Sequence, residues 1–278
     1  MQINSTITLN NGVKMPLFGL GVFEAKEGNE TKNAVSFAIT NGYRLIDTAA
    51  IYHNEQSVGD ALKVTLPKLN LKREDVFITT KLWNSDIREK NTKAAFLKSL
   101  ELLGLDYVDL YLIHWPVKKG IKEAWQTMEK LYHEGKIKAI GVSNFRIQDI
   151  KELLSYAKIK PAINQIECHP LLSQAELREF CNKENIIIEA WAPIMKGKFC
   201  DIDTLANLSK KYNKTISQII LRWHIQNRVI PIPKSVNMTR IAENSQILDF
   251  EVNAEDMQKI NNLNKNQRFG PDPDNFMF

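Results

Sequence analysis

The chain has 278 residues, 44% of them hydrophobic and 25% charged, which favours a folded globular protein over a disordered one. The formal net charge of +5 is modest and no long block of like charge occurs, so nucleic-acid binding is disfavoured. No signal peptide or transmembrane-length apolar run is recognisable, and the 3 cysteines lack the spacing of a disulfide framework or zinc site. These features predict one soluble, cytoplasmic domain over residues 1–278, with no nucleic-acid, membrane or metal partner.

The predicted elements begin with a hairpin, because Thr6–Leu9 and Val13–Met15 flank an Asn-Asn-Gly turn sequence. Short aliphatic runs then alternate with stretches of helical periodicity, such as Phe96, Leu100 and Leu103. Several runs are apolar throughout, as parallel strands buried on both faces require. The predicted strands are Phe18–Val22, Arg44–Thr48, Val76–Leu82, Val108–Trp115, Ala139–Ser143, Ile163–Glu167, Ile186–Trp191 and Val229–Pro233.

Strands alternating with helices, at a repeat of roughly thirty residues, predict an α/β fold that is either a closed (β/α)8 TIM barrel or an open doubly wound sheet. The sequence GLGVFE at residues 19–24 begins like a dinucleotide-binding glycine motif. It has glutamate where the third glycine would stand, and a carboxylate there would repel pyrophosphate. The closed barrel is therefore preferred. One extra helix is predicted over Glu251–Leu263, after the eighth unit.

Four chemically distinct side chains stand at or just after the ends of three neighbouring predicted strands: Asp47, Tyr52, Lys81 and His114. Active sites of such barrels lie at the carboxyl ends of the strands, so we expect these side chains to meet there. Taken singly, each has a plainer interpretation. Asp47 could cap a helix, Tyr52 could be a rim aromatic, Lys81 could extend into solvent, and His114 could be a core histidine. Their convergence on one rim favours a shared chemical role.

A carboxylate, an ammonium, a phenol and an imidazole are together suited to protonating a carbonyl oxygen. Asp47 would keep a buried Lys81 charged, and that charge would lower the pKa of Tyr52. Tyr52 would then act as the proton donor near neutral pH, while His114 orients the substrate oxygen. Because these four residues supply no electrons, a cofactor must deliver the hydride.

Three segments extend this pattern along the chain. They read GYRLIDTAAIYHNEQSVG at residues 42–59, PAINQIECHP at residues 161–170, and IPIPKS at residues 230–235. In this order they resemble the signatures of the aldo-keto reductase family, and the likeness covers nearly the whole chain. Its short, compact form resembles the bacterial group that contains 2,5-diketogluconate reductases and small-aldehyde reductases of the methylglyoxal type. The resemblance implies a hairpin-closed barrel and NADPH-dependent reduction of aldehydes or ketones to alcohols, with Asp47, Tyr52, Lys81 and His114 as the catalytic tetrad.

The resemblance also implies a set of cofactor-binding positions. Those that match residues around the nicotinamide are Ser143, Asn144, Gln165 and the stacking aromatic Trp191. Those that match residues at the adenosine 2′-phosphate are Lys234, Ser235 and Arg240, and those near the adenine are Glu243 and Asn244. Asn237 is suited to capping the helix that follows, whose amino end would attract phosphate.

Residues beside the tetrad are expected to line an apolar and aromatic substrate pocket. They are Phe23, Ile51, Trp83, Trp115 and Phe276, with Asn84 as a polar contact. Any one of these side chains could instead only pack the barrel rim. The resemblance implies a monomer whose partner is a small carbonyl compound.

Two other functions remain open on the same scaffold. A cofactor-binding regulatory or structural protein would keep the fold without turnover. An aldolase or isomerase would form a Schiff base at Lys81. The intact tetrad favours the reductase.

Overall fold

The computed structural model describes Ile3 and residues 5–275. A two-stranded antiparallel hairpin opens it, with β1 at Thr6–Thr8 and β2 at Lys14–Pro16. The side-chain amides of Asn10 and Asn11 in its turn donate hydrogen bonds to the carbonyls of Pro161 and Lys138. These bonds attach the hairpin to the amino-terminal end of the main sheet, as the family resemblance implied.

Eight parallel strands follow, each hydrogen-bonded to the next along the chain. Each of the eight strands overlaps one of the predicted runs, and most of the strands are shorter than the run that predicted them. The strands are β3 (Leu20–Gly21), β4 (Leu45–Asp47), β5 (Phe77–Leu82), β6 (Val108–Ile113), β7 (Ile137–Ser143), β8 (Ile163–Glu167), β9 (Ile187–Trp191) and β10 (Val229–Pro231).

The sheet closes on itself where β3 meets β10. The amide of Gly19 donates to the carbonyl of Pro231 at 3.2 Å, and the amide of Gly21 donates to the carbonyl of Pro233, also at 3.2 Å. A Cβ on Gly21 would lie 3.0 Å from the carbonyl oxygen of Ile232, so the close approach of the two strands favours glycine there. The closed barrel is therefore confirmed, and the open doubly wound sheet is excluded.

Helices connect the strands and cover the outside of the barrel. They are α1 (Asn29–Thr40), α2 (Glu55–Lys68), α3 (Asn84–Arg88), α4 (Thr92–Leu103), α5 (Ile121–His133), α6 (Ile147–Leu154), α7 (Ala175–Lys183), α8 (Asp203–Tyr212), α9 (Ile216–Gln226), α10 (Met238–Asn244) and α11 (Ala254–Asn261). The predicted additional helix is α11. It begins after Asn253, whose side chain accepts a hydrogen bond from the amide of Asp256. Within the described part of the chain, no helix is long and apolar enough to cross a membrane.

Apolar side chains fill two regions of the molecule. The larger cluster lies between the strands and the surrounding helices, and a smaller one includes the hairpin residue Met15 together with residues of several barrel strands. Members of the smaller cluster include Leu45, Leu110 and Ile163, all fully buried. Buried polar side chains such as Asp47 and Lys81 stand farther along the same strands, toward their carboxyl ends. The fold therefore separates the smaller apolar cluster from a polar site nearer the carboxyl ends of the strands.

Candidate active site

The four predicted tetrad residues stand at the carboxyl ends of three adjacent strands. Asp47 is the last residue of β4, and Lys81 is the penultimate residue of β5. His114 directly follows β6, and its backbone amide donates to the carbonyl of Leu82 on β5. Tyr52 ends a short 3-10 helix, Ala50–Tyr52, that leads from β4 toward α2. The fold thus brings the four residues to one rim.

Lys81 is the centre of this group. Its ammonium, which is 0% exposed, donates hydrogen bonds to Asp47 Oδ1 at 2.6 Å, to the carbonyl of Thr48 at 2.8 Å and to Tyr52 Oη at 3.2 Å. These three acceptors use all three protons of the ammonium. The Nζ atom also lies 4.8 Å from the centre of the Tyr52 ring. The cation is therefore fully paired and held against the phenol.

The electrostatics of the group have one consequence that the sequence did not predict. Burial alone would lower the pKa of Lys81, but Asp47 and Tyr52 raise it, so the lysine stays charged. Burial raises the pKa of Tyr52 by more than the charge of Lys81 lowers it. The expectation of a lowered tyrosine pKa was therefore wrong for this structure. Tyr52 is nevertheless fully protonated at neutral pH, which is the form that a proton donor requires.

A charged Lys81 also bears on the aldolase or isomerase hypothesis. A Schiff-base lysine must lose its proton to become a nucleophile, and its pKa must therefore be lowered. Here the pKa of Lys81 is raised and its ammonium makes three hydrogen bonds. The environment of this lysine therefore opposes Schiff-base chemistry.

His114 contacts the phenol edge-on, with its ring centroid 5.7 Å from that of Tyr52. Burial and the nearby charge of Lys81 hold its pKa well below the ordinary value, so the imidazole is neutral at neutral pH. Its Nδ1 atom is buried and has no hydrogen-bond partner among the described residues. A neutral imidazole can donate one hydrogen bond, which suits it to orient a substrate oxygen without competing with Tyr52 for the proton.

The four predicted nicotinamide residues lie together on three adjacent strands, at the end of β7, in the middle of β8 and at the end of β9. Ser143 Oγ donates to the carbonyl of Gln165 at 2.8 Å, and Asn144 Nδ2 donates to Ser143 Oγ at 3.1 Å. Trp191 Nε1 donates to Asn144 Oδ1 at 2.8 Å. Asn144 adopts a φ of 64°, a left-handed conformation that asparagine tolerates better than most residues. One hydroxyl, the Asn144 amide, the Gln165 backbone carbonyl and a half-buried indole therefore form one hydrogen-bonded group.

Gln165 also reaches across the interior of the barrel, which the sequence did not reveal. Its Nε2 atom donates to Asp47 Oδ2 at 2.7 Å and to Glu189 Oε2 at 2.7 Å. Glu189 lies on β9, directly beside Gln165 in the strand register, and is 0% exposed. The only available signal was the inward alternation along β9, because Asp47 and Gln165 are 118 positions apart.

The predicted 2′-phosphate residues follow β10. Lys234 and Arg240 are exposed, and neither forms an ion pair within the range that the structure describes. Ser235 Oγ accepts from the amide of Asn237 at 3.1 Å, and the Asn237 side chain caps α10 by accepting from the amide of Arg240 at 3.0 Å. Asn237 thus forms the helix cap that the sequence predicted. Two unneutralised cations beside a hydroxyl are suited to a phosphate group.

The two positions predicted near the adenine occupy the last turn of α10. Glu243 is half-buried, and its backbone carbonyl accepts from the side-chain amide of Gln218. Asn244 is only 4% exposed. Their contact with an adenine stays a prediction.

Aromatic side chains surround the exposed edge of the tetrad. The ring of Phe23 is 5.0 Å from that of Tyr52, and with 47% exposure it forms an apolar rim of the site. Trp83 packs edge-on against His114 at 5.1 Å, and Trp115 lies parallel to the same imidazole at 6.5 Å. These contacts place three predicted pocket residues next to the tetrad.

The remaining predicted pocket residues differ in position. Ile51 is half-buried in the 3-10 helix that carries Tyr52, whereas Asn84 is fully buried at the start of α3. Phe276 lies outside the described residues. Substrate contacts by these side chains stay predictions.

A segment near the carboxyl terminus lies beside Trp191, and the sequence did not predict what holds it. Glu167, at the end of β8, accepts hydrogen bonds from the amides of Phe269 at 2.6 Å and Gly270 at 3.2 Å. His169 Nε2 contacts the same carboxylate at 3.2 Å. Gly270 lies so close to the indole that a Cβ would be 2.3 Å from Trp191 Cη2. A buried carboxylate therefore positions this segment against the predicted stacking surface.

Comparison with known proteins identifies the family to which the chain belongs. The model of the Aldo/keto reductase family matches residues 17–265. Glyoxal reductase of Bacillus subtilis is 52% identical to the chain over 277 residues, covering 100% of this chain and 99% of that protein. The chain belongs to the aldo-keto reductase family. It is an NADPH-dependent oxidoreductase that reduces carbonyl groups.

Further relatives resemble the chain along almost its full length. Methylglyoxal reductase of Escherichia coli is 44% identical and covers 98% of both chains. The crystal structure of an aldo-keto reductase from a Medee basin deep-sea metagenome library is 43% identical, with a TM-score of 0.93 over 98% of this chain and 100% of that one. A Bombyx mori aldo-keto reductase in complex with NADP is 38% identical, with a TM-score of 0.91 over 99% and 97% of the respective chains.

The donor set at this rim fits the two ends of NADPH. A carboxamide both donates and accepts hydrogen bonds, and the hydroxyl oxygen of Ser143 and the amide oxygens of Asn144 and Gln165 are groups that can accept from it. The exposed cations Lys234 and Arg240 suit the 2′-phosphate, which carries the charge that distinguishes NADPH from NADH. When bound, NADPH supplies the hydride.

Proposed function

We propose that this protein reduces small aldehydes that carry a second carbonyl group, such as glyoxals, and that Tyr52 donates the proton. The observation that carries the proposal is the Lys81 ammonium, which lies 3.2 Å from Tyr52 Oη, with the half-exposed ring of Phe23 packed against the same phenol. Relatives with 52% and 44% identity are a glyoxal reductase and a methylglyoxal reductase, which supports a small dicarbonyl substrate.

Each residue of the tetrad has a defined task in this reaction. The neutral His114 donates a hydrogen bond to the substrate oxygen and brings it to Tyr52. Tyr52 transfers its proton as negative charge develops on that oxygen. Lys81 stabilises the tyrosinate that remains, because its ammonium is already hydrogen-bonded to Oη. Asp47 keeps Lys81 charged and in place.

Replacement of Tyr52 by phenylalanine tests this assignment. The Tyr52→Phe variant keeps the ring but lacks the acidic proton, so we expect kcat for glyoxal reduction to fall by roughly 10²–10⁴-fold. Binding of NADPH, followed by quenching of tryptophan fluorescence, should stay within about two-fold of the wild type, since general acid–base catalysis acts on the transition state. A variant with normal reductase activity would refute Tyr52 as the acid.

We further propose that the chain acts in the cytoplasm as a monomeric, single domain, without nucleic-acid partners. The three cysteines are free, and Cys168 and Cys181 are buried, which supports a reducing compartment. Continuous hydrogen bonding around the barrel from β3 to β10 supports one domain rather than two.

A further inference from the structure

We propose that Glu189 is a positioning residue, which holds the Asp47–Lys81 pair through Gln165 and supports reduction only while its own carboxyl group is uncharged. This inference rests on the proposed function. It assigns a role to a buried side chain that is not part of the tetrad and was not predicted to touch the cofactor. Two hydrogen bonds donated by the Gln165 amide nitrogen connect this side chain to the tetrad.

One of those bonds joins the neighbouring strands β8 and β9, and the other reaches across the barrel to β4. The Gln165 amide has two protons, one of which is donated to Asp47 Oδ2 and the other to Glu189 Oε2, both at 2.7 Å. Asp47 Oδ1 accepts from Lys81, so both oxygens of that carboxylate are held. Removing the acceptor at Glu189 would free the Gln165 amide to rotate, and Asp47 would lose a fixed partner. The effect would reach Tyr52 through Lys81.

The surroundings of Glu189 favour its uncharged form. The residue is 0% exposed, and its Oε1 atom has no partner among the described residues. The titratable groups inside the barrel that act on it are Asp47 and Lys81, and its partner across β10 is the apolar Ile230. No cation touches its carboxyl group in the described structure. Burial and the charge of Asp47 together raise the pKa of Glu189 to about 8.

Ionisation of Glu189 would oppose the chemistry at Tyr52. A negative charge on Glu189 raises the pKa of Tyr52, so the phenol holds its proton more tightly and is a weaker acid. The same charge faces Asp47 across the amide of Gln165. Below about pH 8 the carboxyl is neutral and the acid is effective; above that pH reduction slows. Activity falls as the pH rises because the carboxyl group of Glu189 loses its proton, and becomes negatively charged, when the pH passes its raised pKa.

Glu189→Gln tests the proposal, since glutamine keeps the shape and an acceptor oxygen but never ionises in this range. For the wild type we expect kcat for glyoxal reduction to fall about ten-fold between pH ~7 and pH ~9, with an inflection at the titration of Glu189. In Glu189→Gln this inflection should disappear while activity at pH ~7 is kept within a few-fold. The matched control is Glu129→Gln, a buried carboxyl that accepts two backbone amides outside the site and should leave the inflection in place.

A second measurement needs neither cofactor nor substrate. The infrared difference spectrum of wild type minus Glu189→Gln should contain the carbonyl stretch of a protonated carboxylic acid at pH ~6.5, which vanishes above pH ~9. If Glu189→Gln does not fold, the same band is sought in the difference spectrum of the wild type between pH ~6.5 and pH ~9. Absence of the band, or pH profiles that superimpose for wild type and variant, would overturn the proposal. An inactive wild type would instead refute the proposed function.

Discussion

Trp191 is fixed at two points around its indole ring. Its Nε1 atom donates to Asn144 Oδ1 at 2.8 Å, and the opposite edge of the ring faces Gly270. The ring is thus oriented before any ligand binds, which reduces the entropy lost when a flat group stacks on it. Glu167 contributes to the orientation of the indole indirectly, because its side chain accepts hydrogen bonds from the backbone amides of Phe269 and Gly270.

A side chain at Gly270 would disturb this arrangement. In Gly270→Ala the Cβ would be 2.3 Å from Trp191 Cη2 and 2.7 Å from Cζ3, so the indole or the segment must move. We expect KM for NADPH to rise about ten-fold, because a displacement near 1 Å weakens a stacked contact, and the tryptophan emission spectrum should shift. Asn275→Ala, an exposed position farther along the same segment, is the control. Unchanged KM and emission would show that the segment yields without moving the indole.

Reasoning from strand ends brought the tetrad to one rim, because strand ends of a barrel meet there. The nicotinamide positions came from the family resemblance, and their contact with the cofactor stays a prediction. Sequence reasoning did not find the bridge from Gln165 to Asp47 and Glu189. That bridge depends on which side chains cross the interior, and register is a property of the assembled barrel rather than of any one strand. It also overestimated the effect of Lys81 on the pKa of Tyr52, because burial is not visible in a local sequence window.

At the scale of elements, the strands agree with prediction because buried parallel strands must be apolar on both faces. Their ends were less predictable. Phe18–Val22 contributes only the paired residues Leu20–Gly21, since strand length is set by the partner as well as by the sequence. The turn from β10 into α10 was better defined, because an asparagine cap is a local signal.

The cations of this turn are expected to set the choice between the two nicotinamide cofactors. Lys234 and Arg240 are exposed and unneutralised, and a charge-assisted hydrogen bond to phosphate contributes about 1.5–3 kcal/mol. In Arg240→Ala we expect KM for NADPH to rise roughly ten- to a hundred-fold with KM for NADH nearly unchanged, as measured by steady-state kinetics. Lys63→Ala, which removes an exposed cation of α2, should change neither value. Equal losses for both cofactors would argue against phosphate recognition at Arg240.

At the scale of the whole molecule, buried histidines limit stability in acid. Burial lowers the pKa of His224 from 6.5 to about 3, and its Nε2 atom lies 3.2 Å from the carbonyl of Pro193. The unfolded chain gains a proton on this residue below pH 6.5, whereas the folded protein does not until about pH 3. Stability is therefore present above pH 6.5 and is lost as pH falls toward 3.

Urea unfolding at two pH values measures this effect. Between pH ~7 and pH ~5 we expect His224 alone to cost the wild type about 2 kcal/mol of unfolding free energy. In His224→Gln, whose amide does not titrate, the decrease over the same interval should be smaller by about that amount, whatever the absolute stability of the variant. Identical decreases in the two proteins would show that His224 is charged in the folded state.

The closure between β3 and β10 is an incomplete ladder. Parallel neighbours normally exchange bonds in both directions, but proline has no N–H, so Pro231 and Pro233 can only accept from Gly19 and Gly21. The carbonyls of β3 therefore receive nothing from those two prolines. At this closure Gly21 of β3 pairs with Lys234, which follows β10. Phe23, which follows β3, borders the site through its contact with Tyr52. This incompletely bonded join therefore lies between the rim over the phenol and the cationic turn, where a small parting of the strands would shift both together.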